Sequence, residues 1–174
     1  RIEPEDGEFS RAALEYYPFF LLAQPAPFPE RLVGASAEYF LRQILTTWTA
    51  RPDAIAPDAA DRYLHAFTPD VIAGICADYR ASFHIDRATD AEDRARGHTI
   101  GCPVLVHWGA AEGSVSDGPL EVWRRWATSV EGGALPSGHF IPEESPRELA
   151  ESLERFLSGL PAGGGEVDGV LRPE

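Results

Sequence analysis

The sequence predicts an α/β fold of uneven build, with a long helical stretch first and then strand, helix, strand and helix in the last third. Three observations carry this expectation. Over roughly the first hundred residues, apolar side chains recur at helical spacing with little sign of sheet. At Cys102 the character changes: CPVLVHWG is a short β-branched apolar run bounded by Pro and Gly, the pattern of a buried parallel strand. Beyond it, helix-like and strand-like segments alternate, and that order joins parallel strands through crossover helices.

Each element has its own justification. Residues 1–8 are acidic and polar and read as a frayed lead-in. FSRAALEYYPFFLLA, 9–23, is helical in pattern, with Pro18 expected to kink or interrupt it. QPAPFPE, 24–30, reads as an extended connector. SAEYFLRQILTTWT, 36–49, opens on Ser36 as an N-cap and repeats Phe40, Leu41, Ile44, Leu45 and Trp48 on one side. Further helices start near Pro57 and Pro69, where proline fits the first turn. DRATDAEDRARG, 86–97, suits a linker or an exposed helical turn.

After the VLVHWG strand, AAEGSVSDG is a loop. Residues 118–128 form a helix with Leu120, Trp123 and Trp126 inward. The segment around 130–136 is a weaker strand, because Gly132 and Gly133 interrupt it. Residues 143–158 form a last helix, with Leu149, Leu153, Phe156 and Leu157 on one side. The glycine-rich end, AGGGEVDG, follows no strand, so it reads as a flexible tail and not as a phosphate loop. The expected division is a helical region over 1–98, a sheet-bearing part over 99–159 and a tail over 160–174.

Composition narrows the function. The 174 residues suffice for one ordinary domain or two small ones, and 44% hydrophobic with 25% charged residues reads as soluble and globular. The formal net charge of -13, from 28 acidic and 15 basic residues, repels nucleic acid and anionic membranes, so neither is an expected partner. Every basic side chain is Arg and none is Lys, which reads as coding bias before function. No leader segment and no membrane-length apolar run is found, so a cytoplasmic location is the default expectation. Cys76 and Cys102 read as reduced, buried thiols. His65, His84, His98 and His107 lack metal-ligand spacing; no metal and no cofactor is expected, and His107 reads as a satisfied core histidine. The chain has no Met and begins at Arg1, so it is expected to be processed or truncated. Two strands alone leave both sheet edges unpaired, so marginal stability and self-association, in the simplest case a homodimer, are expected too.

Active sites of open α/β sheets lie beyond the carboxyl ends of the strands. Two loops meet that condition. One follows VLVHWG and carries Glu112 and Asp117; the other follows GGALPS and carries His139. A histidine there can act as a general base, with Glu112 or Asp117 orienting it.

WGAAEG and the run LEVWRRWATSVEGGALPSGHFIPEESPRELAESLERFL resemble the carboxyl-terminal end of an α/β-hydrolase. The nearest resemblance is to the haloacetate (fluoroacetate) dehalogenases and their epoxide-hydrolase-like relatives. ALEYYPFFLLAQPAPFPERLVGA, LTTWT and CADYRASFHID resemble the helical cap of that family, so the resemblance covers roughly residues 10–158, and SGHFIPEE and CADYRA are its most specific motifs. The resemblance implies a partial α/β-hydrolase fold, a helical cap followed by the last strand-helix-strand-helix of the sheet. It implies that a carboxylate nucleophile displaces halide from a small haloacid, forming an ester that His139 hydrolyses through an activated water. It gives Tyr79 a place beside the leaving halide and Trp48 one near the substrate entrance, and it puts Tyr17 with them among the substrate-binding residues.

Two departures qualify that implication. The family's Tyr-His-Trp segment is matched here by Tyr17-Pro18-Phe19, and neither proline nor phenylalanine donates a hydrogen bond to a departing halide. No G-x-S-x-G or G-x-D-x-G elbow occurs in the chain; the family's nucleophile, and the acid that partners its histidine, precede the cap. Glu112 stands where many other α/β-hydrolases place their acid. The expectation is therefore a haloacid hydrolase in intact form. Epoxide hydrolysis is the enzymic alternative, with Tyr79 and Tyr17 or Tyr16 protonating the ring oxygen, and a serine esterase is less favoured. A non-catalytic remnant or binding module is the alternative of another class.

Overall fold

The computed structural model describes residues 14, 16–51, 53–112 and 118–160. The lead-in, Asp117 and the tail beyond residue 160 lie outside them. The helical part runs through α1 (Tyr17–Leu22), α2 (Phe28–Gly34), α3 (Ala37–Thr47), α4 (Pro57–Ala66) and α5 (Pro69–Ala81). A π-helical turn, Ser82–Asp86, then leads directly into α6 (Arg87–Arg96). The sheet part holds β1 (Val104–Gly109), α7 (Pro119–Trp123), β2 (Val130–Leu135), α8 (Ile141–Glu144) and α9 (Pro146–Gly159).

Proline sets the starts of these helices. Pro18, Pro29, Pro57, Pro69, Pro119 and Pro146 each sit in a first turn, where the missing N–H costs nothing. Two expectations change for this reason. Pro18 opens α1 instead of kinking a longer helix, and the connector expected over 24–30 ends early because α2 begins at Phe28. Ser36 stands at the N-cap of α3, but its side chain makes no capping bond. Thr68 does cap α5, accepting from the Val71 N–H at 3.4 Å. The charged segment from 86 to 97 is a regular helix that stops where Gly97 turns left-handed, at φ 74°.

The helices bury a small core of Leu22, Val33, Ile72 and Cys76, each at most 6% exposed, with Phe40, Phe67, Ile75 and Tyr79 packed around it. Arg80 crosses from α5 to Glu30 of α2 at 2.7 Å and donates to the Gln24 carbonyl at 3.1 Å. Together the two contacts tie α2 and the chain before it to the helix that centres the core.

Among the described residues the sheet is two parallel strands, with Val104 opposite Val130 and Gly109 opposite Leu135. The glycines that weaken β2 as a sequence signal are not equivalent. Gly132 has φ 138°, and a Cβ there would stand 1.8 Å from the Val106 carbonyl oxygen; one at Gly133 would meet open space. Gly132 is thus a requirement of the pairing, because only a residue without Cβ lets the strands approach. His107 is satisfied within the sheet part, with Nδ1 2.8 Å from the Gly133 carbonyl oxygen and Nε2 2.8 Å from Ser152 Oγ of α9.

Several expectations about covered faces are corrected here. α7 ends at Trp123, and the chain then turns so that Ala127 can bridge to Ile100. Trp123 is exposed, while Trp126 is half-buried beneath the Arg94 guanidinium. On α9, Leu149 and Phe156 are half-buried but Leu153 and Leu157 face solvent. Cys76 is buried as expected, and Cys102 is exposed. Among the described residues, no helix is long and apolar enough to cross a membrane.

Candidate active site

Both strands end at the same edge of the molecule, and their following loops meet there. After β1 the chain turns at Ala110, whose N–H donates to the Leu135 carbonyl, and Ala111, whose N–H donates to the Ser137 carbonyl. These bonds lay the 109–112 turn against the 135–139 turn. Gly109 permits the contact, since a Cβ there would lie 2.2 Å from the Gly138 carbonyl oxygen. Glu112 is thereby brought to His139, its Oε1 2.6 Å from the imidazole Nδ1. The two side chains are 34% and 46% exposed, so the pair lies at a solvent-reached cleft and not in a core. When Nδ1 donates to the carboxylate, the lone pair resides on Nε2, the nitrogen that can then accept a proton.

The turn that carries His139 is held through three successive N–H groups. Gly138 N–H donates to Glu144 Oε1 at 3.0 Å, His139 N–H to the Trp48 carbonyl at 2.8 Å, and Phe140 N–H to Glu144 Oε1 at 3.3 Å. The other Glu144 oxygen accepts from Ala50 N–H at 2.8 Å, and Arg51 donates to the Glu144 carbonyl. Glu144 is 2% exposed. A buried carboxylate is tolerated because charge-assisted bonds from backbone N–H groups replace its hydration. Through it, the His139 turn and the segment following α3 form one unit. Tyr63 of α4 donates to Glu143, a second tie between the helical and sheet parts.

The Trp48 ring lies 4.7 Å from the His139 ring, edge to face, and Phe140 packs on the other side at 5.3 Å. A cavity of about 240 Å³ opens above this pair, walled chiefly by Tyr16, Phe19, Thr47, Trp48, Glu112 and His139. Trp48, expected near the substrate, is in its wall. Tyr17 is exposed and does not line it; its neighbour Tyr16 does. Tyr79 lines an adjoining apolar cavity and reaches the first through Phe19, whose ring meets it edge-on at 5.1 Å. Burial, with a smaller contribution from the Asp78 charge, pushes the Tyr79 phenol above its ordinary value of 10.0. Among the described residues, no group of three or more His, Cys, Asp or Glu side chains could hold a metal ion.

Glu144 is the residue that sequence reasoning missed. It stands in the SGHFIPEE run beside Glu143, which is more exposed, and nothing in the spacing tells the two apart. Only the fold of the turn shows which one is buried.

No family model matches the chain. A fluoroacetate dehalogenase from Burkholderia sp is 34% identical over 154 residues, covering 87% of this chain and 50% of that protein. A solved candidate epoxide hydrolase from Pseudomonas aeruginosa is 40% identical with a TM-score of 0.80, over 88% of this chain and 51% of that one. A candidate α/β-hydrolase from Nostoc sp PCC 7120 is 41% identical with a TM-score of 0.80, over 89% of this chain and 52% of that one. The chain spans about half the length of the curated relatives it matches. At these identities, and over most of its own length, the chain is similar to fluoroacetate dehalogenases and epoxide hydrolases, and it carries part of the α/β-hydrolase fold.

Proposed function

We propose that this chain supplies the general-base half of a hydrolytic site. The observation that carries the reading is the 2.6 Å contact between His139 and Glu112 at the carboxyl ends of two parallel strands. Glu112 orients the imidazole, and His139 takes a proton from water through Nε2. In the intact protein a carboxylate first attacks a substrate carbon. The carbon–halogen bond breaks, halide leaves with its electron pair, and an ester forms. The water activated by His139 then adds to the ester carbonyl, and its cleavage releases a hydroxy acid and regenerates the carboxylate. The helices before residue 98 act as the cap of this site, with Trp48, Phe19 and Tyr16 as its ceiling.

A second reading is favoured by one observation. Tyr16 and Tyr79 both pack edge-on against Phe19, Tyr16 in the wall of the His139 cavity and Tyr79 in that of the adjoining one. A phenol can protonate an opening epoxide oxygen, and the same ester chemistry then yields a diol. Halide and diol release by the full-length protein separates the two. Halide from a haloacid supports the first reading, diol from an epoxide without halide the second, and neither product with an intact fold would remove both.

A further inference from the structure

The apolar cavity beside the site is larger than a packing gap. It measures about 140 Å³, and its walls include Leu22, Val33, Phe40, Ile44, Ile72 and Tyr79. Interiors pack with few voids larger than a water molecule. An engineered apolar cavity of about 150 Å³ in another protein stays dry and takes up benzene, so a space of this size and lining suits a small apolar group. Among the described lining residues, only Trp48 and Tyr79 carry polar side-chain atoms.

The cavity also has a defined relation to His139. Trp48 is a wall of both spaces, and its ring lies 4.7 Å from the His139 ring. Phe19 lines the first space, lies 6.1 Å from Trp48, and meets Tyr79 of the second at 5.1 Å. Pro18, on the other side of α1, closes the second space with carbon alone. The partition is therefore two aromatic rings with no hydrogen-bonded strap across it among the described contacts.

We infer that the two spaces form one compound site, in which the reacting end of a ligand lies over His139 and an uncharged aliphatic chain of several carbons passes the Trp48 ring into the apolar cavity. The inference rests on the hydrolytic reading of His139 for the reacting end. It adds the substrate class: molecules with an apolar tail of several carbons, in preference to two-carbon ones.

The test uses the full chain, labelled at isoleucine methyls and aromatic rings, with hexane-1,2-diol and ethane-1,2-diol as probes followed by NMR. Hexane-1,2-diol is expected to shift Ile72, Ile75, Tyr79 and His139 together along one saturation curve, at least 10-fold tighter than ethane-1,2-diol. Ile75→Phe, which fills the cavity, is expected to bring the longer diol to the affinity of the shorter. Leu41→Phe serves the same purpose if Ile75→Phe lowers the melting temperature. Equal affinities with no response at Ile72, Ile75 or Tyr79 would overturn the inference and leave the hydrolytic reading to its own turnover assay. Response in the cavity without response at His139 would overturn it as well, since the spaces would then be independent.

Discussion

The two halves of the chain bury their side chains differently. The helical half closes a core of its own, with Val33 and Ile72 at 2% exposure and Cys76 at 0%. Among the described residues of the sheet half, Val106 and Ala127 are the buried hydrophobic ones, and they are joined by Ser137, Glu144 and Ser145, which are polar. Leu153 and Leu157 on α9 stay exposed beside it. The helical half is thus held by apolar burial, while the sheet half, where His139 sits, is held by directed hydrogen bonds around one buried carboxylate. The lesson is about precision. Apolar packing tolerates small shifts, whereas a turn with three successive N–H groups tied to fixed acceptors does not.

The contrast can be broken at its strongest points first. Ile72→Ala removes a buried side chain and is expected to cost about 2–5 kcal/mol, whereas Leu157→Ala, at 61% exposure, should stay within about 0.5 kcal/mol. Urea denaturation of both variants checks the difference, and comparable losses would mean that α9 is covered in solution. Glu144→Leu is next. It leaves the N–H groups of Ala50, Gly138 and Phe140 without their acceptor, at about 1–3 kcal/mol for each one that water cannot reach. Hydrogen exchange at these three amides should accelerate while the amides of α5 stay protected.

Gly132→Ala is expected to lower stability by more than about 1 kcal/mol, because φ 138° and the Val106 backbone both exclude a Cβ; Gly133→Ala should be close to neutral. The smallest effect concerns the Glu30–Arg80 pair. Backbone hydrogen bonding, then the Arg80 contacts, hold the Glu30 carboxyl below its ordinary 4.5 against the opposing effect of burial. A lowered folded value means that the contribution is present above pH 4.5 and fades as pH falls from there through the lowered value. Glu30→Gln should therefore narrow the stability gap between pH 7 and pH 4 in acid-denaturation curves.

Much of this architecture was legible in the residues. The VLVHWG strand, the helices opening at Pro57 and Pro69 and the place of His139 after a strand all follow from local pattern. Pro18 and Pro29 misled, because a proline in a first turn and one that breaks a helix read alike until the start of the helix is known. Trp123 and Leu157 misled for another reason: periodicity reports which face is apolar, not whether anything covers it. Glu144 was invisible, since a buried acid is defined by donors from residues 50, 138 and 140, which only the fold assembles. The Glu112–His139 contact lay between, suggested by two loops at one sheet edge and given its distance by the close approach at Gly109.

In the proposed reaction His139 activates the water that clears an ester intermediate. Mass spectrometry of full-length His139→Gln after incubation with a haloacid or an epoxide tests it most directly. A stoichiometric covalent adduct is expected, persisting while the unsubstituted protein turns over and shows none. Undiminished turnover by His139→Gln, with no adduct, would contradict it.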